Sequence, residues 1–379
     1  MSDARPLDGL RVVHLSTVHR LSDPRIRLKE CQALVDAGAH VRFVARASSI
    51  AVRDEVDEVA LTPVMSRFAR LVSSQREALA AIRDFAPDVI HFHDPELLLL
   101  APVLRRIAPT VIYDVHESLP DLVLDREWIP ARARKLVSSV CGWLEPRLSR
   151  LCSGVVLVDR RWASRFAPLP WVEITNPPLR DEFGTVDRSS PATPPHFVYV
   201  GELLPERGVH SAVEAINRIS STVRLTLAGP VSTSLAAELE NLDTKSRLEL
   251  PGLVDRDHVG QLLASATAGL VLLEPVPAYD DATATKIFEY LGTGLPLILS
   301  DTTAHRRVEA ETDAAIVVPY GDVDALQQTM QRLLDDDATW SRLVEAAQAA
   351  ARSMPTWDDL VPALQDFYAT LTGASNTTP

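Results

Sequence analysis

The chain has 379 residues, 46% of them hydrophobic and 23% charged, enough to bury a full core. At about 150 residues per domain the length predicts two or three domains. The net charge of −13 argues against a general nucleic-acid binder, which needs a basic face. The charge is uneven: residues 1–185 hold 25 Lys and Arg against 24 Asp and Glu, and the rest hold 13 against 27, so two units with different partners are expected. Cys31, Cys141 and Cys152 offer no disulfide framework and no C-x-x-C spacing, which suits a reducing compartment. MSDARPLDGL lacks the apolar segment of a signal peptide, and LLLLAPVL (97–104) is broken by Pro102. The expectation is a cytoplasmic protein that can still touch the inner face of a membrane.

Short apolar strands alternate with amphipathic helices. Strands are expected at 11–16, 40–45, 88–93, 110–115 and 154–158, with helices over 25–37, 66–85, 95–106 and 130–150. From Ile174 to His196 the chain is proline-rich without periodicity, which is linker chemistry. Strands then resume at 197–201, 223–229, 248–252, 268–273, 296–300 and 314–318. Helices are expected at 208–220, 232–242, 255–265, 284–293, 322–336, 339–352 and 357–371. This is the rhythm of α/β domains with parallel, doubly wound sheets, in which ligands bind beyond the carboxyl ends of strands.

Two strand-to-helix junctions in the second half carry anion-binding chemistry. Lys286, Ile287 and Glu289 open the helix at 284–293, whose first turn offers unpaired amides and a positive dipole end. A cation there is locally unfavourable, so Lys286 implies a compensating anion, and Glu289 one turn on suits a vicinal diol. The ordinary alternative is an i, i+3 surface ion pair. Gly201 ends a strand, and Arg207 with Gly208 enters the next helix, where a guanidinium and amides suit a pyrophosphate. The alternative is a plain turn with a solvated Arg.

In the first half, the loop from Ser16 to Arg25 is polar. Asp23 is read as a helix N-cap before Pro24, and Arg25 as a residue facing an anionic acceptor. His91 and His93 fall on one sheet face, but no further ligand spacing accompanies them and no metal is expected. Asp94 is read as an N-cap before Pro95 on the acceptor side. His116 and Glu117, at a strand end, form the most credible reactive pair; the alternative for His116 is a buried ring satisfied by backbone. Residues 126–150 hold six basic and two acidic side chains beside Trp128 and Trp143, equally suited to an anionic membrane surface and to a half-buried helix.

VYVGELLPERGVHSAVEAI, LAGP, LELPGLV and KIFEYLGTGLPLILSD, with IHFHDPELL and VIYDVHE before them, resemble family 4 of the retaining glycosyltransferases across nearly the whole chain. The resemblance implies the GT-B architecture of two Rossmann-like domains facing a central cleft. Residues 1–180 would be the acceptor side and 181–355 the nucleotide-sugar domain; a C-terminal helix within 356–379 would cross back to the first. Arg207 would hold the donor diphosphate and Glu289 the ribose, Leu253 would lie in the loop facing the base, and His116 would reach the donor sugar as the catalytic residue. Gly201, Lys286 and Ile287 complete the donor set, and Arg25, Asp94 and Glu117 the acceptor side. Ala282 and Glu202 stand where many members carry a Glu and a basic residue, which alters sugar recognition or removes activity.

The expected activity is metal-independent, retaining transfer from a nucleotide-diphosphate sugar, as co-substrate and without a cofactor, to a hydroxyl acceptor. Polysaccharide, lipid-linked and small-molecule acceptors all fit. A non-catalytic GT-B partner protein and a nucleotide-sugar epimerase are the alternatives. A dinucleotide oxidoreductase fits less well, because no G-x-G-x-x-G follows a strand.

Overall fold

The computed structural model describes residues 5–373 except 49–54, 63–73, 127–128, 181, 184–185, 187, 189, 191, 220–221 and 282. Ala282, Trp128, the first part of the helix expected at 66–85 and the tail from Ala374 therefore lie outside the described residues. The chain divides into two compact units, residues 1–176 with 357–379, and residues 177–356.

The first unit is built on a seven-stranded parallel sheet: β1 (Arg11–Arg20), β2 (His40–Arg46), β3 (Asp57–Leu61), β4 (Val89–Phe92), β5 (Thr110–Val115), β6 (Gly154–Leu157) and β7 (Trp171–Glu173), in the order β3-β2-β1-β4-β5-β6-β7. β4, β5 and β6 are buried at every position, as strands covered on both faces by crossover helices must be. Between β1 and β2 the chain runs through a π-helical stretch, Pro24–Cys31, into the α-helix Gln32–Asp36. Its N-terminus is set by Asp23, whose carboxylate accepts from the Ile26 amide at 3.0 Å with Pro24 in the first turn, so the expected cap is present. The C-terminal helix Trp357–Thr372 packs into this same unit, where Gln365 donates to the Ala33 carbonyl at 2.9 Å.

The second unit carries a six-stranded parallel sheet: β8 (His196–Val200), β9 (Arg224–Ala228), β10 (Leu248–Gly252), β11 (Ala268–Val271), β12 (Leu297–Ser300) and β13 (Ala315–Val318), ordered β10-β9-β8-β11-β12-β13. Its crossover helices are capped by Ser232, Asp255, Thr302 and Asp322. Part of the proline-rich linker belongs to this unit: the buried Arg188 guanidinium donates to the carbonyls of Leu263, Ala266 and Thr293. Burial without a carboxylate partner pushes its pKa down to about 10.

Several elements escape sequence patterning. β3 (DEVAL) and β7 (WVE) are short edge strands whose pairing comes from a neighbour's backbone rather than from an apolar run. The helix Thr303–Thr312 is largely polar, with only Ala304, His305 and Val308 buried, and rests on the Thr302 cap.

Candidate functional sites

In the second unit the donor candidates gather at the carboxyl end of β8. Gly201 has φ of +140°, a conformation that favours glycine, and a Cβ there would stand 2.7 Å from Nζ of Lys286. Lys286 itself is buried, 3.7 Å above the centre of the Tyr199 ring, with no hydrogen-bond partner for its ammonium among the described residues. Burial, then the nearby Arg207, pushes its pKa well below the usual lysine range. Arg207 closes a short 3-10 turn, Pro205–Arg207, and is half-buried with its Nε unpartnered. Gly208 follows at φ +67°, so close to Leu272 that a Cβ would lie 2.5 Å from that residue's own Cβ. The helix Thr285–Gly292 begins beside these residues without a side-chain cap. An unpartnered lysine and a partly unpartnered arginine beside an uncapped helix N-terminus are chemistry that suits a polyanion.

Other expected donor residues have partners of their own. The Ile287 side chain is fully buried in the core with Val198, Val271 and Tyr290, and its amide donates to the Ala284 carbonyl, because helical spacing turns it away from Lys286. Glu289 does not stand free: its Oε1 accepts from Arg256 at 2.8 Å, and Arg256 also pairs with Glu182. Sequence reading misses Arg256, which sits at the start of the helix Arg256–Ala264 with no motif around it. Leu253 is 57% exposed in the loop after β10, and Glu202 is exposed while its carbonyl accepts from the Tyr199 hydroxyl at 2.8 Å.

In the first unit His116 ends β5 half-buried, its Nε2 3.0 Å from His93 Nδ1 and 3.4 Å from Asp114 Oδ2. Glu117 beside it is exposed. Arg25 does not face outward to an acceptor. It is buried, donates to the Ile174 carbonyl at 2.9 Å, and pairs with Glu30 at 2.9 Å and Asp114 at 3.2 Å. Asp94 holds the position before Pro95 but makes no cap bond. Its buried carboxylate instead accepts from the Ser16 hydroxyl at 3.0 Å, the Thr17 amide and hydroxyl, and the Val18 amide, fixing the end of β1. A carboxylate in the interior takes the densest set of donors, and β1 supplies more than the helix start.

Behind His116 lies a polar cluster from four elements. His14 of β1 shares a 3.0 Å hydrogen bond with His93, just after β4; His91 of β4 shares a 2.7 Å hydrogen bond with the Tyr368 hydroxyl of the C-terminal helix. Burial pushes His14 and His91 well below the usual imidazole range, and His93 to about 4. Burial and then Asp114 raise Glu30, while Asp114 stays low because Arg25 and His116 outweigh its own burial. Potential metal-ligand atoms of His14, Glu30, His91 and His93 lie within 4.8 Å of one another. His91 and His93 do share a face, as strand alternation requires; His14 and Glu30 are the partners that sequence spacing conceals.

Among the described residues no helix is long and apolar enough to cross a membrane. The helix Ala131–Ser149 exposes Leu136 (68%), Val140 (49%) and Trp143 (56%).

Two family models match the chain: Glycosyltransferase Family 4 over residues 28–172 and Glycosyl transferases group 1 over residues 194–336. A glycogen synthase of Mycobacterium tuberculosis is 23% identical over 323 residues, 82% of this chain and 76% of that one. Among solved structures, the sucrose-phosphate synthase of Thermosynechococcus elongatus superposes with a TM-score of 0.76 at 17% identity over 96% of this chain and 100% of that one. Anabaena HepE in complex with UDP and glucose gives 0.70 at 14% over 96% and 100%. With two Rossmann-like parallel-sheet domains and both family models matched in order, the chain belongs to family 4 of the retaining glycosyltransferases, the glycosyl transferases group 1, and has the GT-B fold.

Proposed function

We propose that the second unit binds the diphosphate of a nucleotide-diphosphate sugar through Lys286, Arg207 and the N-terminus of the helix Thr285–Gly292, and that the enzyme passes the sugar to a hydroxyl acceptor. The observation that carries this is the Lys286 ammonium, buried and without a hydrogen-bond partner. Burying an unpaired cation is costly, so the position makes sense when an anion completes it. Glu289, steadied by Arg256, accepts the ribose hydroxyls, and Leu253 lies at the base.

The chemistry then follows from charge. As the glycosidic bond breaks, negative charge grows on the leaving diphosphate, and pre-placed cations and amides stabilise it without reorganising. No metal is needed at the diphosphate. Retention follows from attack on the face the diphosphate leaves, with a donor phosphate oxygen taking the acceptor proton, so no carboxylate nucleophile is required. His116 orients the transferred sugar. The UDP in HepE makes a uridine donor the first to test, with guanosine and thymidine donors beside it.

The apolar row of Leu136, Val140 and Trp143, in a stretch with six basic residues over 126–150, favours a lipid-linked acceptor met at an anionic membrane surface.

Calorimetric titration with UDP, GDP and dTDP tests the donor site. Binding of one nucleotide is expected, weakened roughly 100-fold by Lys286→Met and by Glu289→Ala. Failure of all three to bind overturns the assignment and returns the chain to the non-catalytic alternative.

A further inference from the structure

We propose that His14, His91, His93 and Glu30 bind one divalent transition-metal ion of the zinc class inside the first unit. All four residues are buried: His14 lies in β1, His91 in β4, His93 just after β4, and Glu30 in the π-helical stretch Pro24–Cys31. The nearest separations among their ligand atoms are 3.0 Å between His14 Nδ1 and His93 Nε2, 3.7 Å between His14 Nδ1 and Glu30 Oε2, and 3.9 Å between His93 Nε2 and Glu30 Oε2. A tetrahedral ion with bonds of about 2.0–2.2 Å sets its ligand atoms roughly 3.3 Å apart, so a small contraction closes the site.

The second observation is what the cluster leaves unpaired. Among the described residues His91 Nε2 has no hydrogen-bond partner, and Glu30, which pairs with Arg25 at 2.9 Å through Oε1, turns Oε2 toward His14 and His93 at 3.7 and 3.9 Å. The hydrogen bond between His14 and His93 uses both of their inward nitrogens and leaves His91 Nε2 without a partner. One cation satisfies all four.

The third is that each ligand is held from behind. The Tyr368 hydroxyl is 2.7 Å from His91 Nδ1 and 3.4 Å from His14 Nε2. His116 Nε2 is 3.0 Å from His93 Nδ1, and Arg25 Nε is 2.9 Å from Glu30 Oε1. Such outer partners fix the tautomer and aim the free atom of each ligand inward. Three imidazoles and one carboxylate select zinc, cobalt or iron over calcium and magnesium, which take oxygen. The ion is structural: it ties β1 and β4 to the π-helical stretch beneath His116, takes no part in sugar transfer, and does not depend on the donor assignment in the other unit.

The test is elemental analysis of the full chain, prepared without a metal-affinity tag or chelator from zinc-supplemented cells. About one equivalent of transition metal is expected, falling at least tenfold in His91→Leu. Because that variant can misfold, the wild-type chain is also stripped with chelator and titrated with cobalt. The ligand-field absorption of tetrahedral cobalt is expected, as is a rise in Tm when zinc is restored. Less than a tenth of an equivalent with no cobalt spectrum overturns the proposal, and so does full metal content in a folded His91→Leu variant.

Discussion

A Cβ on Gly201 would stand 2.7 Å from Nζ of Lys286, so the absence of a side chain on the strand-end glycine leaves the helix lysine its place. Gly201→Ala both strains a backbone at φ +140° and pushes the ammonium aside. Nucleotide affinity is expected to fall roughly tenfold and stability by about 1 kcal/mol, read by calorimetry and thermal unfolding. Unchanged affinity would place the diphosphate elsewhere.

Lys286→Met separates binding from folding. It removes a buried, unpartnered cation, so Tm is expected to rise while nucleotide affinity falls roughly 100-fold. The linkage has a definite sign. Burial lowers the native pKa below that of the unfolded chain, so the unfolded state holds more protons between the two values and stability rises with pH across that window. A bound diphosphate favours the charged form, so nucleotide affinity is expected to fall as pH rises through the lysine's lowered range in the wild type, and this pH dependence should be absent from the weaker binding of Lys286→Met.

Asp94 gathers donors from Ser16, Thr17 and Val18. Asp94→Asn replaces a charged acceptor by an amide that presents two donors to those groups. A loss of about 2 kcal/mol is expected in denaturant unfolding. No change would mean that β1 holds its end without the carboxylate.

His19 gives the first unit a pH dependence. Burial opposes its charge, but the 2.8 Å contact with Asp23 and the carboxylates of Asp94 and Asp114 outweigh this and raise its pKa from 6.5 to about 9. The stabilisation is complete below pH 6.5 and is lost as pH rises through about 9. Its size is about 1–2 kcal/mol, since the ring is partly exposed. His19→Asn should flatten the unfolding profile over that range; a slope that persists would assign it to another group.

The exposed face of the helix Ala131–Ser149 is open to a direct assay. Trp143→Glu and Leu136→Glu are expected to reduce co-sedimentation with vesicles containing anionic lipid several-fold, leaving neutral vesicles unaffected. Equal sedimentation of wild type and variants would remove the membrane from the proposal.

The alternation of apolar runs and amphipathic helices was enough to determine two parallel α/β units, because burial on both faces makes such strands continuously apolar. Lys286, Arg207 and Gly201 were legible for a similar reason: a cation or a glycine at a strand-to-helix junction has few local explanations. Short polar edge strands such as β3 and the polar helix Thr303–Thr312 were not legible, since their stability lies in a neighbour's backbone and a single cap. Tertiary structure alone decided which side chains are already spent. Arg25 read as facing an acceptor and Asp94 as a helix N-cap, yet chain segments 89 and 78 residues away bind them in the interior. Arg256 beside Glu289, and His14 with Glu30 beside His91 and His93, are likewise pairings across crossover connections. A parallel sheet brings together residues that sequence spacing keeps far apart, so periodicity reveals the strand and the face but not the partner across it.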